Sequence, residues 1–467
     1  MRYGLGMFSQ LNKTTILLFA LATPAFASHR VVAVIPPPKD GALAVDVEIR
    51  LGHSPDVSLI SRGSQLEILR GLSLTPETPV DESLALQLGQ LSGADAVIYG
   101  SSTKLRVCKI ESEACHDLSI ADGAALASQI LTDIGATAPA PRVTPWPDEQ
   151  KNRAALAAYA DCRWAVSLAL ERTAVKGHKA KLKGLDAACK KAVTLDTSYP
   201  PAKAALAAVR ALSGDATAEH DLSEALVILP TDALAPEALV NLLVEKDRAR
   251  EAIDQLSAAE KLAPTSIDLR RLRAERLFRM DMFGRALPPF QEALALAPRS
   301  PYLHWRLAYT LHMQGDDAAA LGHAETASRL AGGKHPFYQE EYASRLIDLG
   351  RYAEAQALLE PLYKNDPAWG RVALRLGYVM HKLGNSKGAL PLFAKAAMAK
   401  PRDHREENDN VVARLDLARA HARLGETEFA YQELLELKKA GKLNMADLQD
   451  ADFAGMRTEA RFSGLAK

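Results

Sequence analysis

A small α/β amino-terminal domain followed by an all-α carboxy-terminal α-solenoid of helical hairpins is the fold class this sequence predicts, on three observations. Short β-branched runs are confined to the region before residue 140, a proline-rich stretch follows them, and beyond it small residues and prolines recur about every 34 residues. The composition fits folded domains, because 48% of the 467 residues are apolar and 24% are charged, too apolar a balance for a disordered chain. Fifty-seven basic residues balance 57 acidic ones, which argues against a nucleic-acid protein held by bulk electrostatics. Four cysteines in a chain of this length do not make a disulfide scaffold.

The first residues predict a destination. Arg2 and Lys13 precede the apolar run Ile16 to Ala22, too short to span a bilayer, and Ala25-Phe26-Ala27 places small residues at −3 and −1 of a cleavage site before Ser28. Residues 1–27 therefore read as a secretory signal peptide. No later run approaches the roughly 20 apolar residues of a membrane helix, so the expectation is a mature chain without a membrane span, exported to a bacterial periplasm.

In an oxidising compartment thiols pair. Cys108 lies on the strand-like run Lys104 to Ile110 and Cys115 on Cys115 to Ile120, with polar Glu111-Ser112-Glu113 between, which predicts a hairpin with a cross-strand bridge. Cys162 and Cys189 lie 27 residues apart on two helical stretches around Lys176-Gly177-His178-Lys179, a spacing that suits a bridged antiparallel helix pair. The rival is a Cys/His metal site, but neither pair has the short CxxC spacing of a zinc knuckle.

Strand-like runs occur at Val31 to Pro36, Val57 to Ser61 and Ala94 to Gly100, and helical patterns at Gln65 to Leu72, Asp81 to Leu91 and Ala121 to Ile134. Their order predicts a small sheet covered by helices over 28–136. Pro139, Pro141, Pro145 and Pro147 then mark an interdomain linker over 137–147, and the helical array fills 148–467. The opening strand Val31 to Pro36, together with Leu88-Gly89-Gln90-Leu91-Ser92-Gly93-Ala94-Asp95-Ala96-Val97-Ile98-Tyr99-Gly100-Ser101 running into Leu105-Arg106-Val107, resembles the TolB amino-terminal domain. The half-polar segment Val45 to Gly52 and the cysteine-bearing hairpin depart from that pattern. The resemblance implies a non-catalytic domain that docks to other envelope proteins.

In the array, Pro230, Pro264, Pro298, Gly332, Pro367 and Pro401 stand 34 or 35 residues apart, and twelve residues before them stand Ala218, Ala252, Ala286, Ala320, Ala355 and Ala389. Small residues at that interval let helices cross closely, while the larger residue four positions later fills the space between neighbouring pairs. The run Arg306-Leu307-Ala308-Tyr309-Thr310-Leu311, closing on Gln314-Gly315-Asp316, and the turn Leu349-Gly350-Arg351-Tyr352-Ala353-Glu354-Ala355 are similar to the tetratricopeptide repeat. Leu383-Gly384-Asn385 and Leu424-Gly425-Glu426 repeat the turn. Six repeats are expected over 199–402, a seventh over 411–437, and a degenerate first one around Cys162 and Cys189. Asp450-Ala451-Asp452-Phe453 with Phe462 resembles the amphipathic cap of such arrays.

That resemblance implies a concave face built from positions 2, 5, 9, 12 and 13 of each first helix. From Pro301 these are Tyr302, Trp305, Tyr309, His312 and Met313. Neighbouring repeats add Asp268, Arg271, Glu275, Phe278 and Arg279, then Arg371, Leu374, Tyr378, His381 and Lys382, then Leu415, Arg419 and Arg423. Aromatics beside cations suit an extended peptide bearing carboxylates, although aromatics at this spacing also pack within helical arrays. The partner-binding candidates are Arg271, Phe278, Arg279, Tyr302, Trp305, Tyr309, His312, Tyr378, His381, Lys382, Arg419 and Arg423.

The motifs of zinc proteases, serine hydrolases, phosphate-binding loops and dinucleotide folds are absent, so no catalytic residue, metal or cofactor is assigned. His220 and His323 read as surface or satisfied helix residues, and Gln339-Glu340-Glu341 and Glu406-Glu407 as solvated charge. The expected function is a non-enzymatic exported scaffold or adaptor whose partner is another protein, a cell-envelope component. A regulator of an envelope enzyme acting through the amino-terminal domain, and an enzyme with an unrecognised site, are the alternatives.

Overall fold

The computed structural model describes residues 29–465 except 38–40, 62–63, 66–67, 70–71, 73, 76–77, 102–103, 119–122, 138–151, 174–184, 216, 230–231, 233, 334, 402–405 and 407. The expected leader over 1–27, and the proline-rich linker beyond its first residue, lie outside the described residues. The chain divides into two compact units, residues 1–300 and 301–467.

The first unit opens with a five-stranded sheet. Strands β1 (Arg30–Ile35), β2 (Val57–Leu59), β3 (Ala96–Gly100), β4 (Leu105–Lys109) and β5 (Ala114–Asp117) lie in the order β2-β1-β3-β4-β5. β1 pairs in parallel with both β2 and β3, while β4 and β5 continue antiparallel from β3. Central parallel strands are covered on both faces, which is why β1 reads as an unbroken apolar run. Helices α1 (Ala42–Leu51) and α3 (Gly123–Ile134) close one face through Ala44, Val47, Leu51, Leu126 and Ile130. Helix α2 (Glu82–Ser92) is started by Asp81, whose carboxylate accepts the Leu84 N–H at 2.8 Å, and contacts β1 and β3. The half-polar segment Val45 to Gly52 is therefore mostly helix: polar Glu48 faces a partner beyond the sheet rather than interrupting a strand. Cys108 and Cys115 stand directly opposite each other on β4 and β5 and are joined by a disulfide, with their Cα atoms 4.1 Å apart.

Helices α4 (Arg153–Thr173) and α5 (Leu185–Leu195) form the first hairpin, tied by the Cys162–Cys189 disulfide. Three further hairpins follow among the described residues: α6 (Pro200–Leu212) with α7 (Ala218–Ile228), α8 (Leu234–Glu245) with α9 (Ala249–Leu262), and α10 (Ile267–Arg279) with α11 (Phe283–Leu296). In the chain-entropy account, the Cys162–Cys189 bridge, which spans 27 residues, stabilises by about 3.5 kcal/mol. Replacing Cys162 and Cys189 together by Ser should therefore speed hydrogen exchange across α4 and α5; unchanged exchange would deny the bridge that role.

The second unit holds α12 (Pro301–Met313), α13 (Asp317–Leu330), α14 (Pro336–Asp348), α15 (Tyr352–Asn365), α16 (Gly370–Lys382), α17 (Ser386–Met398), α18 (Asp409–Arg423) and α19 (Thr427–Lys439), closed by short 3-10 turns over 447–456 and by α20 (Ala460–Leu465). The recurring alanines explain the hairpins: Ala218, Ala252, Ala286, Ala320, Ala355 and Ala389 are each 0% exposed. Leu222, Leu256, Phe290, Ala324, Leu359 and Phe393, four positions later, are buried with them. The turns after α12, α14, α16 and α18 use Gly315, Gly350, Gly384 and Gly425 at φ of 84°, 70°, 90° and 77°, the left-handed cap that glycine adopts without cost.

Candidate functional site

The α/β domain is not free of the array within the first unit. Glu48 of α1 receives both Nη groups of Arg163 of α4 at 2.9 Å, a two-pronged charge-assisted pair. Burial opposes the Arg163 charge, but Glu48, Tyr159 and Asp232 hold its proton affinity above the ordinary value. At the end of β2, the Ser61 N–H and hydroxyl donate to Asp268 of α10 at 3.1 and 2.9 Å, and Ser64 adds a bond at 3.3 Å. Gly93, just after α2, lies so close to the segment following α11 that a Cβ there would stand 2.4 Å from the Ser300 Cα. The α10 face expected to meet a partner thus carries the chain's own domain. Arg271 is accounted for in the same way, with Nε 3.2 Å from Asp268.

Two α10 residues stand differently. Arg279 is exposed, and Phe278 meets Phe283 edge-on at a centroid distance of 5.0 Å. Sequence spacing missed Arg276, one position past the expected face. Burial, with the Arg279 charge next, lowers it to about 10, and its Nε is buried without a hydrogen-bond partner.

In the second unit the first-helix face divides into two parts. Over α16 and α18 the carboxy-terminal segment covers it. Asp452 lies 2.9 Å from His381 Nε2 and 3.6 Å from Arg423, and Asp450 lies 3.0 Å from Arg419. Arg419 is also held by Asp416 at 2.7 Å, whose carboxyl burial pushes up. Between these ion pairs Phe453 is 0% exposed, packed with Leu448 and Met456 against Leu415 and Ala418. His381, Arg419 and Arg423 therefore pair with the chain's own tail, because its acidic residues reach them first. Tyr378 and Lys382 lie beside this seat, the Lys382 ammonium 5.2 Å above the Tyr378 ring, and Lys382 is exposed.

Over α12 and α14 the face is aromatic. Trp305 meets Tyr302 at 5.5 Å and reaches to Phe337 of the next first helix at 5.1 Å, both edge-on, and Phe337 continues to Tyr338 at 5.0 Å. These are favoured geometries for rings and connect two repeats. Tyr302, Trp305, Tyr309 and Phe337 are half-buried, so each shows part of a ring to solvent while the rest packs. The Arg345 guanidinium lies 6.0 Å from the Tyr309 ring. Below it His312 Nδ1 stands 2.7 Å from Asp317 and 3.5 Å from Asp348. Phe337 escaped the sequence reading, although position 2 counted from Pro336 would have found it. The neighbouring position 5, Glu340, is almost wholly buried against Arg375 of α16.

The tetratricopeptide-repeat family model matches residues 339–361 and 411–434. No curated protein matches the sequence. Among solved structures, the chain is similar to PilW, described as a widely conserved type IV pilus biogenesis factor, with 17% identity and a TM-score of 0.39 over 46% of this chain and 96% of that one. It is also similar to PilF of Pseudomonas aeruginosa, with 16% identity and a TM-score of 0.37 over 50% and 96%. A third likeness is to YrrB, described as a TPR protein with an unusual peptide-binding site, at 18% identity and a TM-score of 0.33 over 41% and 95%. The two matched segments fall on the α14–α15 and α18–α19 hairpins, which are tetratricopeptide repeats, and the array around them is tetratricopeptide-like.

Proposed function

We propose that this protein is an exported, non-enzymatic adaptor that holds a segment of a partner protein from the cell envelope on the first-helix face of α12 and α14. Tetratricopeptide repeats are protein-interaction scaffolds, and the observation that carries the particular reading is the ring ladder Tyr302–Trp305–Phe337, which joins neighbouring repeats on that face. Half-exposed rings on rigid helices present a large contact area and lose little side-chain freedom on binding, the property of an interface anchor. The neighbouring seats support the choice by subtraction, since Asp268 takes the α/β domain and His381 and Arg419 take the tail. Export is supported by the pairing of all four cysteines and by the leader-like start of the chain. Among the described residues no helix is long and apolar enough to cross a membrane.

The test places a photo-crosslinking amino acid at Tyr302, or at exposed Glu325 of α13 as control, in intact cells. A discrete adduct is expected from Tyr302 alone. Trp305→Ala combined with Tyr309→Ala should weaken binding of the protein so identified by at least about tenfold, with far-ultraviolet circular dichroism unchanged. Equal affinity with intact helicity would remove the ladder as the binding face.

A further inference from the structure

Outside this face, the structure brings together two histidines that the sequence keeps 19 residues apart. His304, in the first turn of α12, and His323, in the middle of α13, are half-buried across their hairpin, with Nδ1 atoms 3.0 Å apart, centroids at 5.2 Å and ring planes tilted by 40°. Each neutral imidazole carries one N–H and one lone pair. The facing nitrogens therefore share a single proton, one donating and the other accepting. A second proton would set two N–H groups against each other at that distance, and burial already lowers the proton affinity of His323.

We propose that His304 and His323 form a two-imidazole chelate for a divalent transition-metal ion of the copper(II), nickel(II) or zinc(II) class, which clips α12 to α13. Metal–imidazole bonds of about 2.0–2.1 Å that meet near a right angle hold their nitrogens about 2.9 Å apart. The pair stands near that separation, at 3.0 Å, with each nitrogen aimed at the other, as the 5.2 Å between ring centroids shows, so both rings must turn to face a common ion. Binding requires the donating ring to change tautomer: its Nδ1 proton leaves through solvent as its Nε2 takes one up, so both rings stay neutral, both Nδ1 lone pairs serve the ion and no net proton is released. Two nitrogen donors select against magnesium and calcium, which take oxygen ligands. Both ligands sit on one hairpin, so chelation strengthens a contact within a repeat.

The test uses the untagged full-length protein. Copper(II) in modest excess should raise the melting temperature by about 2–4 °C, magnesium should leave it unchanged, and the bound copper should show two nitrogen ligands in its paramagnetic resonance spectrum. His304→Gln and His323→Gln, which keep side-chain bulk and a hydrogen-bonding group, should each lower copper affinity by at least about tenfold. His312→Gln, at the separate group formed with Asp317 and Asp348, should retain wild-type affinity. Copper affinity equal to wild type in both His304→Gln and His323→Gln, a loss confined to His312→Gln, or a copper spectrum with fewer than two nitrogens would each overturn the proposal.

Discussion

Asp268→Ala should detach the end of β2 from the repeat array and cost about 3–5 kcal/mol, the scale for breaking a buried ion pair by removing one partner. The Asp268 carboxylate is 9% exposed and accepts bonds from the Ser61 N–H, the Ser61 and Ser64 hydroxyls and Arg271. Alanine takes this acceptor from all four donors, and with it one carboxylate from the Arg271 guanidinium, 11% exposed. A lost acceptor costs more than a lost surface pair because water cannot freely replace it. Asp268→Asn retains an acceptor oxygen and should cost less than half as much. Hydrogen exchange at Ser61, whose amide bonds directly to Asp268, reads the detachment locally in a chain too large for two-state analysis. Exchange at Ser61 equal to wild type in Asp268→Ala would show that Glu48–Arg163 and the Gly93–Ser300 approach hold the domain without it.

This contact marks where sequence reasoning stops. The alanine register was legible because close helix crossing demands a small residue at one place in every hairpin, and all six alanines counted are buried. The cysteine pairs were legible because a hairpin and a helix pair bring such spacings together. The fate of Arg271, His381, Arg419 and Arg423 was not. Position within a repeat says which way a side chain points, but what covers it arrives from far along the chain: Ser61 is 207 residues from Asp268, and Asp452 is 71 residues from His381. A local pattern carries no trace of such a meeting. Turn chemistry differs between the units, because Asp247 and Asp281 take the left-handed position, at φ of 61° and 57°, that glycine fills in the second unit. Aspartate adopts it at some cost, so the leucine–glycine signature of the later turns is missing there. The His304–His323 pair was overlooked for the opposite reason: a histidine read singly on a helix looks satisfied, and only the hairpin shows its neighbour.

Phe453→Ala should cost about 3–5 kcal/mol, because the ring is fully buried and the tail cannot collapse onto the space it leaves without moving the ion pairs on either side. Phe453 is the apolar centre of the cap. Leu448, Met456, Phe462 and Leu465 share its cluster with Ala418, Ala430 and Leu434 of α18 and α19. Asp450 and Asp452 pin that cluster to Arg419 and His381. Removing the ring should free the tail, increase hydrogen exchange along α18 and α19, and expose His381 and Arg419 to solvent. Asp452→Asn should do less, since it removes charge at the rim of the seat while the apolar cluster stays shut. The ratio of the two effects decides what the tail is. A large loss for Phe453→Ala with a small one for Asp452→Asn makes it a structural cap that keeps this part of the first-helix face closed. Equal small losses would mean that the ion pairs and the ring contribute little, and that the seat on α16 and α18 is open to another acidic segment.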